Sequence, residues 1–598
     1  MALQRYSVNH YPIQAILTWI ESSEIAVPEI QRPFVWNATK VRDLLDSLYE
    51  GYPIGYLIAW KNPAIRLKDG TNSEGKRILI DGQQRVAALM TSLLAQPIID
   101  KDYKRGRIKI SFNPQQKKFE VYNPAIGKDR AWIPDISTVL SKNIKMLKLV
   151  NTYHENNPQS DKDEIFESIE LLKNIVNNHI GLIELNPDLD IETVTEIFIR
   201  INSKGQVLSQ ADFAMSKIAS NEIYDGHLLR KCIDYFCHLA VAPEFYPQLI
   251  EMDNEFSNTE YFKKMTWLKD EKDDLYDPSY TDMLRVAFIS EFKRGRLEAL
   301  VALLSGRDFE TREYKAEIAE KSFGMLEDGI LKFMNETNFK RFVMILRSAG
   351  FIDTSMIRSQ NTVNFAYVVY LVLRAQKKKS SKIESLVRKW FVMSILTGRY
   401  SGSPETAFEK DIRRIEKFGV ERHLKDIEDA EMSSAFWNAG LPQQMNTSVA
   451  SSPYFNTYLA ASVKMNDKGF LSKEICVKDL ITHKGDVHHI FPREYLKSHG
   501  LKRGQYNQIA NYVLMQSEIN IAIGNKPPSI YFKELYKQCD QDTPKYGGII
   551  ESNQLKKNFK MHCIPDGIEE MDIKDYDNFL NARRKLMAHK IKKYYQKL

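Results

Sequence analysis

The 598-residue chain is 43% hydrophobic, 27% charged and 11% aromatic, a profile that excludes long disorder and, at this length, implies several cores. A net charge of +7 suits an anionic partner but falls short of the footprint of an obligate nucleic-acid binder. Five cysteines with no CxxC pair exclude a disulfide framework and suit free thiols in a reducing cytoplasm, and Cys232, Cys237 and His238, whose spacing matches no zinc signature, read as packing residues.

The opening stretch "MALQRYSVNHYPIQAIL" has no apolar signal core. "PEIQRPFVW", 28–36, is a rigid extended segment carrying Gln31, Arg32 and Trp36, groups suited to reading a base or nucleotide. "VRDLLDSL" sets Val41, Leu44, Leu45 and Leu48 on one helical face, Gly51 is placed to end that helix, and "IGYLIAW" reads as a strand. "RILIDGQQRVAALMTSLLA" repeats the device: a strand, a turn at Asp81-Gly82, then a helix burying Val86, Leu89, Leu93 and Leu94.

"DGQQR", 81–85, therefore sits where a strand hands over to a helix. Free backbone N–H groups and the positive end of the helix dipole make such a place an anion site, Gly82 allows close approach of a phosphate, and Arg85 adds a fork for phosphate oxygens. Asp81 suits a magnesium ion, a ribose hydroxyl or plain N-capping, the last leaving Arg85 as a surface side chain. "FIRINSKGQVLSQADF", 198–213, offers Arg200, Asn202 and Lys204 before Gly205, then a capping box from Ser209 to Asp212.

From about 160 to 430 a 3.6-residue period dominates, as in "TVTEIFIRI", "SLVRKWFVMSIL" and "DIRRIEKFGVERHLKDIEDAEM". "FAYVVYLVL", 365–373, is too short to span a bilayer and reads as a buried helix, and "KKKSSK", 377–382, as an exposed loop. "GLPQQMNTSVASSPYF", 440–455, is the best linker candidate.

Four of the 12 histidines, His483, His488, His489 and His499, fall within 17 positions of one another. Phosphodiester hydrolysis needs a base to activate water and a divalent cation to neutralise charge, and an imidazole is the side chain best poised to take that proton near neutral pH. "DVHHIFP" followed by "NQIANYVLMQSEINIAIGNKPP", 507–528, supplies His489 as base, His488 as a neighbouring ligand, then Asn511 and Asn520. Adjacent strand residues point to opposite faces, so the two histidines share one centre only if the chain bends, which Pro492 favours; otherwise Asp486 takes metal duty and His488 supports the fold. Asn520, an oxygen donor, suits Mg²⁺ or Mn²⁺ over zinc. The last stretch, 578–598, holds seven Lys or Arg and no acid. Arg583, Arg584 and Lys590 in it suit DNA phosphates, the alternative being a solvated helix face with Leu586 and Ile591 packed inward.

In order, "QRPFVW", "DGQQR" and "FIRINSKGQVLS" resemble the N-terminal domain of the GmrSD family of modification-dependent (type IV) restriction enzymes, over about residues 10–220. The resemblance implies a ParB-like fold, nucleotide chemistry at Asp81, Gly82, Gln84 and Arg85 supported by Arg200, Asn202 and Lys204, and either the same pocket or modification reading at Gln31, Arg32 and Trp36. The histidine region resembles the family's C-terminal HNH, or ββα-metal, domain over about 445–598, which implies catalysis by His489, His488, Asn511 and Asn520, with Asn511 bracing the loop, and a metal held by His488 or Asp486 with Asn520. "RYSGSPETAFEKDI", 399–412, is similar to the family's helical connector.

The expectation is a multidomain α+β chain: a ParB-like α/β domain at 1–220, a helical connector at 221–440, and an HNH domain within a mostly helical surround at 441–598. Its expected function is anti-phage cleavage of modified double-stranded DNA, using Mg²⁺ or Mn²⁺ and a nucleoside triphosphate (GTP, CTP, UTP or ATP), in the cytoplasm and with no membrane partner; a homodimer is left open. The alternatives are a toxin-like nuclease acting on unmodified nucleic acid and a non-enzymatic sensor that signals to a protein partner.

Overall fold

The computed structural model describes residues 5–22, 24–26, 36–61, 77–99, 105–141, 144–187, 189, 193, 194, 197, 210–219, 221, 224–311, 313, 315–483, 485 and 487–598. The chain divides into two compact units, residues 1–231 and 232–598. The boundary expected at 440/441 falls inside the second. Gln31, Arg32, Arg200, Asn202, Lys204, Ser209 and Asp486 lie outside the described residues, as does most of "TVTEIFIRI".

The first unit is built on a mixed five-stranded sheet. Its strands are β1 (Tyr6–Pro12), β2 (Ile25–Ala26), β3 (Tyr56–Lys61), β4 (Arg77–Asp81) and β5 (His179–Leu185), in the order β1-β5-β3-β4-β2. β5 pairs antiparallel with β1 and parallel with β3, and β3 pairs antiparallel with β4. Side chains alternate across the pleat. Leu57, Ala59 and Leu79 face the core shared with helices α1 (Ile13–Glu21), α2 (Ala38–Tyr49) and α3 (Gln83–Leu93), while Ile58, Trp60 and Ile80 form a smaller cluster on the other face. α2 buries Val41, Leu44, Leu45 and Leu48 as its period requires, each worth about 1.5–3 kcal/mol. α3 buries Val86, Leu89 and Leu93, with Leu94 half-buried.

β5 is a correction. "HIGLIEL" lies in the stretch expected to be helical, yet it is the strand that joins β1 to β3. Because Ile180, Gly181 and Leu182 are all buried, the alternation that marks a half-exposed strand is missing.

The second unit is mainly helical. Helix α4 (Tyr280–Phe292) packs against both α5 (Ala316–Met334) and α6 (Gln360–Ala375), and α6, whose residues Thr362–Leu373 are all buried, packs also against α7 (Ser380–Leu396). "FAYVVYLVL" is thus a buried helix, and among the described residues no helix is long and apolar enough to cross a membrane. The exposed "KKKSSK" run is half loop and half the first turn of α7. Cys232 and Cys237 are buried against the sulfurs of Met334 and Met283, at 3.6 and 3.9 Å, and burial pushes both thiols up.

α8 (Pro404–Phe418) and α9 (Val420–Glu431) follow, then α10 (Pro453–Lys464). The stretch expected to be a linker holds a short helix, Leu441–Gln444, and the start of α10, and its Met445 and Phe455 are buried. The remaining elements are β6 (Val487–His489), α11 (Arg493–Ser498), α12 (Arg503–Tyr506), β7 (Tyr512–Leu514), α13 (Ser517–Ile523), α14 (Pro528–Asp540) and the terminal α15 (Tyr576–Gln596). β6 and β7 form an antiparallel pair that leads into α13, a ββα order; α15 packs against α10 and the 509–511 turn.

Candidate functional site

In the second unit, His488 pairs with Val513 and His489 with Tyr512 across the two strands. β6 stops at His489 because the chain turns there: Ile490 N–H donates to the Asn511 carbonyl at 2.9 Å, and Phe491 N–H to Asn511 Oδ1 at 2.9 Å. Asn511 is 0% exposed, and its Nδ2 donates to the carbonyls of Phe491 at 3.1 Å and Tyr506 at 3.3 Å. One amide thus satisfies three backbone groups in a bend that has no ladder of its own. Tyr531 adds a hydroxyl to the Ile490 carbonyl at 2.9 Å.

His489 is half-buried, its ring edge-on to Tyr512 at 5.2 Å and to Tyr506 at 6.5 Å. Its Nε2 lies 3.0 Å from Asn507 Oδ1. A carboxamide oxygen accepts only, so Nε2 carries the proton and Nδ1 keeps its lone pair. Burial lowers the imidazole's pKa, the bond to Asn507 works against that, and Arg493 and His488 lower it further. A neutral ring with one basic nitrogen is the form that accepts a proton from water.

His488 is half-buried on β6, and Asn520 is half-buried on α13, the helix that directly follows β7. Among the described residues no group of three His, Cys, Asp or Glu is close enough to hold a metal ion. The donors that the sequence names are one imidazole, His488, and one amide oxygen, Asn520, with Asp486 outside the described residues. That set fits a hard divalent ion that keeps most of its water, and does not fit a structural zinc, which needs four protein donors.

The terminal helix corrects the sequence reading. Arg583, Arg584 and Lys590 are 0%, 8% and 8% exposed. Arg583 donates to the carbonyls of Ala510 at 2.7 Å and His562 at 3.2 Å, and Arg584 to Gln508 Oε1 at 3.0 Å and Asn446 Oδ1 at 2.8 Å. Lys590 donates to Ser462 Oγ at 2.7 Å, Asp467 Oδ2 at 2.5 Å and the Met561 carbonyl at 2.5 Å. None of the three is placed to touch a phosphate. The two arginines instead fix the 508–510 segment between Asn507 and Asn511. Ile591 packs inward as expected, but Leu586 is exposed.

In the first unit, Gly82 is the N-cap of α3 at φ +98°, so Asp81 ends β4 and does not cap the helix. A Cβ on Gly82 would lie 2.2 Å from Leu57 Cδ2, so the close approach that demands glycine is made by β3. Arg85 is no surface side chain. It donates to Asp81 at 3.2 Å and to the carbonyls of Tyr56 at 2.7 Å and Ile54 at 3.2 Å. Gln84 is half-buried, and its neighbour Gln83 holds a buried Nε2 with no hydrogen-bond partner among the described residues. Trp36 precedes Asn37, the N-cap of α2, and packs half-buried on the core.

Sequence reasoning passed over Asn507, Tyr531 and the inward role of Arg583. An amide four residues before Asn511 was the one signal for Asn507.

Residues 13–219 match the family described as the GmrSD restriction endonuclease, N-terminal domain. The chain is also similar, at 21% identity over 95% of its length and 96% of the relative's, to the uncharacterized protein MJ0686 of Methanocaldococcus jannaschii.

Proposed function

We propose that this chain is a restriction endonuclease of the GmrSD type, acting in defence against phage, in which the first unit senses modified DNA with the help of a nucleoside triphosphate and the second cuts it as an HNH-type nuclease. The match of residues 13–219 to the family's N-terminal domain carries this reading. The ββα order and the His489–Asn507–Asn511 arrangement support the site of cleavage.

In the proposed reaction His489 accepts at Nδ1 the proton of a water whose oxygen attacks phosphorus, and the bond from phosphorus to the leaving oxygen breaks. Asn507 holds the ring's other nitrogen. Asn511 fixes the bend that presents the ring, and Arg583 and Arg584 hold the segment joining the two asparagines. His488, with Asn520 or Asp486, would hold a Mg²⁺ or Mn²⁺ ion. When bound, that ion supplies neutralisation of charge at the phosphate oxygens.

Nucleotide would bind at the N-terminus of α3, between Asp81, Gly82, Gln84 and Arg85, and its phosphates would compete for Arg85 with Asp81 and the carbonyls of Ile54 and Tyr56.

The test is cleavage of phage DNAs carrying different base modifications, with Mg²⁺ or Mn²⁺ and with or without each nucleotide. His489→Ala should abolish cutting, and unmodified DNA should be spared. Cutting by His489→Ala at the parent rate would rule the site out.

A further inference from the structure

With Arg583, Arg584 and Lys590 turned inward, the question is which cations meet DNA. Between Val487 and Ser517 the sequence has Arg493, Lys497, Lys502 and Arg503 against a single acid, Glu494. All four cations are exposed, on or beside α11 and α12. The apolar side chains of the same helices, Leu496 and Tyr506, are buried, and their other aromatic, Tyr495, is half-buried with its ring 4.5 Å from that of His499, so the face left to solvent is mainly charged.

Three of the cations lie near His489 or the rings beside it, and Lys502 precedes one of them in the chain. Lys497 Nζ lies 5.8 Å from the ring of Tyr506, whose centre is 6.5 Å from that of His489. Tyr512, 5.2 Å from His489 on another side, feels the charge of Arg503, and His489 itself feels that of Arg493. Glu494 ties Arg493 at 3.0 Å and Lys497 at 2.9 Å, exposed pairs of the weak kind that a phosphate can replace. Lys502 and Arg503 make no ion pair among the described residues.

We propose that Arg493, Lys497, Lys502 and Arg503 form the track that grips the backbone of duplex DNA beside the cutting site. The track rests on the nuclease reading above and adds to it the surface that delivers the strand. It positions without reading sequence, since phosphate contacts carry no base information.

The test uses the full chain carrying His489→Ala, so that binding is read without cleavage, and a fluorescent DNA duplex titrated across a range of salt. Adding Lys497→Gln, Lys502→Gln and Arg503→Gln should flatten the slope of log Kd against log salt by about 2.7, since each phosphate no longer neutralised takes about 0.9 from it. The control pair Lys585→Gln and Lys593→Gln, on exposed positions of α15, should leave the slope as it was. An unchanged slope in the triple variant with its melting curve intact, a loss confined to the α15 pair, or the same loss for an RNA duplex with none for DNA would each overturn the track. Whether His489→Ala still cuts is read separately, so failure of the nuclease reading and failure of the track give different results.

Discussion

Nε2 of His489 stands 3.0 Å from Oδ1 of Asn507, although the two come from segments separated by α11 and α12. This bond chooses the tautomer of the ring and aims its other nitrogen. Asn507→Leu keeps the bulk and removes the acceptor, so kcat for DNA cleavage should fall by about tenfold to a hundredfold, part of what a positioned base supplies. KM should hold, because Asn507 is not placed on the DNA-binding track. Asn507→Asp, which restores an oxygen acceptor, should recover most of the loss. Equal losses in both variants, with KM rising, would point to a damaged fold rather than a mispositioned ring.

Gly82 makes a second case, in which backbone and packing act together. At φ +98° a Cβ costs about 1–2 kcal/mol through the left-handed backbone alone. Leu57 Cδ2 at 2.2 Å from the Cβ position adds a clash within the core. Gly82→Ala should therefore destabilise the first unit by about 2–4 kcal/mol, read by denaturant unfolding of the full chain. Because the clash is with one side chain, a cycle with Leu57→Ala should return a coupling of about 1–2 kcal/mol. No coupling would assign the whole cost to the backbone.

How much of this was legible in the sequence depends on where each side chain finds its partner. The β4-turn-α3 unit could be read because a short apolar run, "ILI", is closed by the Asp81-Gly82 turn and followed at once by a 3.6-residue period, all local signals. β5 could not, because burial on both faces erases the alternation and the flanking sequence is helical. The basic run of α15 reads alike whether its guanidiniums meet phosphates outside or carbonyls inside. Only packing decides, and Arg583 found the carbonyl of Ala510. Asn507 is silent for the same reason: its partner lies 18 residues away and is set by the return of the chain.

The stretch expected to be a family connector carries its own test. Asp411, 0% exposed on α8, accepts from Arg399 through both oxygens, from Tyr400 at 2.8 Å and from His423 at 2.9 Å. Burial alone would raise this carboxyl's pKa, but the bonds from Arg399, His423 and Tyr400 outweigh burial and hold it below the usual carboxylate range. A carboxylate depressed in the folded state contributes stability that is complete above its unfolded pKa of about 3.9 and is lost as pH falls through the folded value. Asp411→Asn removes the charge while leaving Arg399 largely buried, and should cost about 3–5 kcal/mol near neutral pH. Denaturant unfolding from neutral pH down to acid should show the parent losing stability below about pH 4 while the variant's curve stays flatter, so that the gap closes. A gap that stayed constant with pH would mean that Asp411 acts through shape and hydrogen bonding and not through its charge.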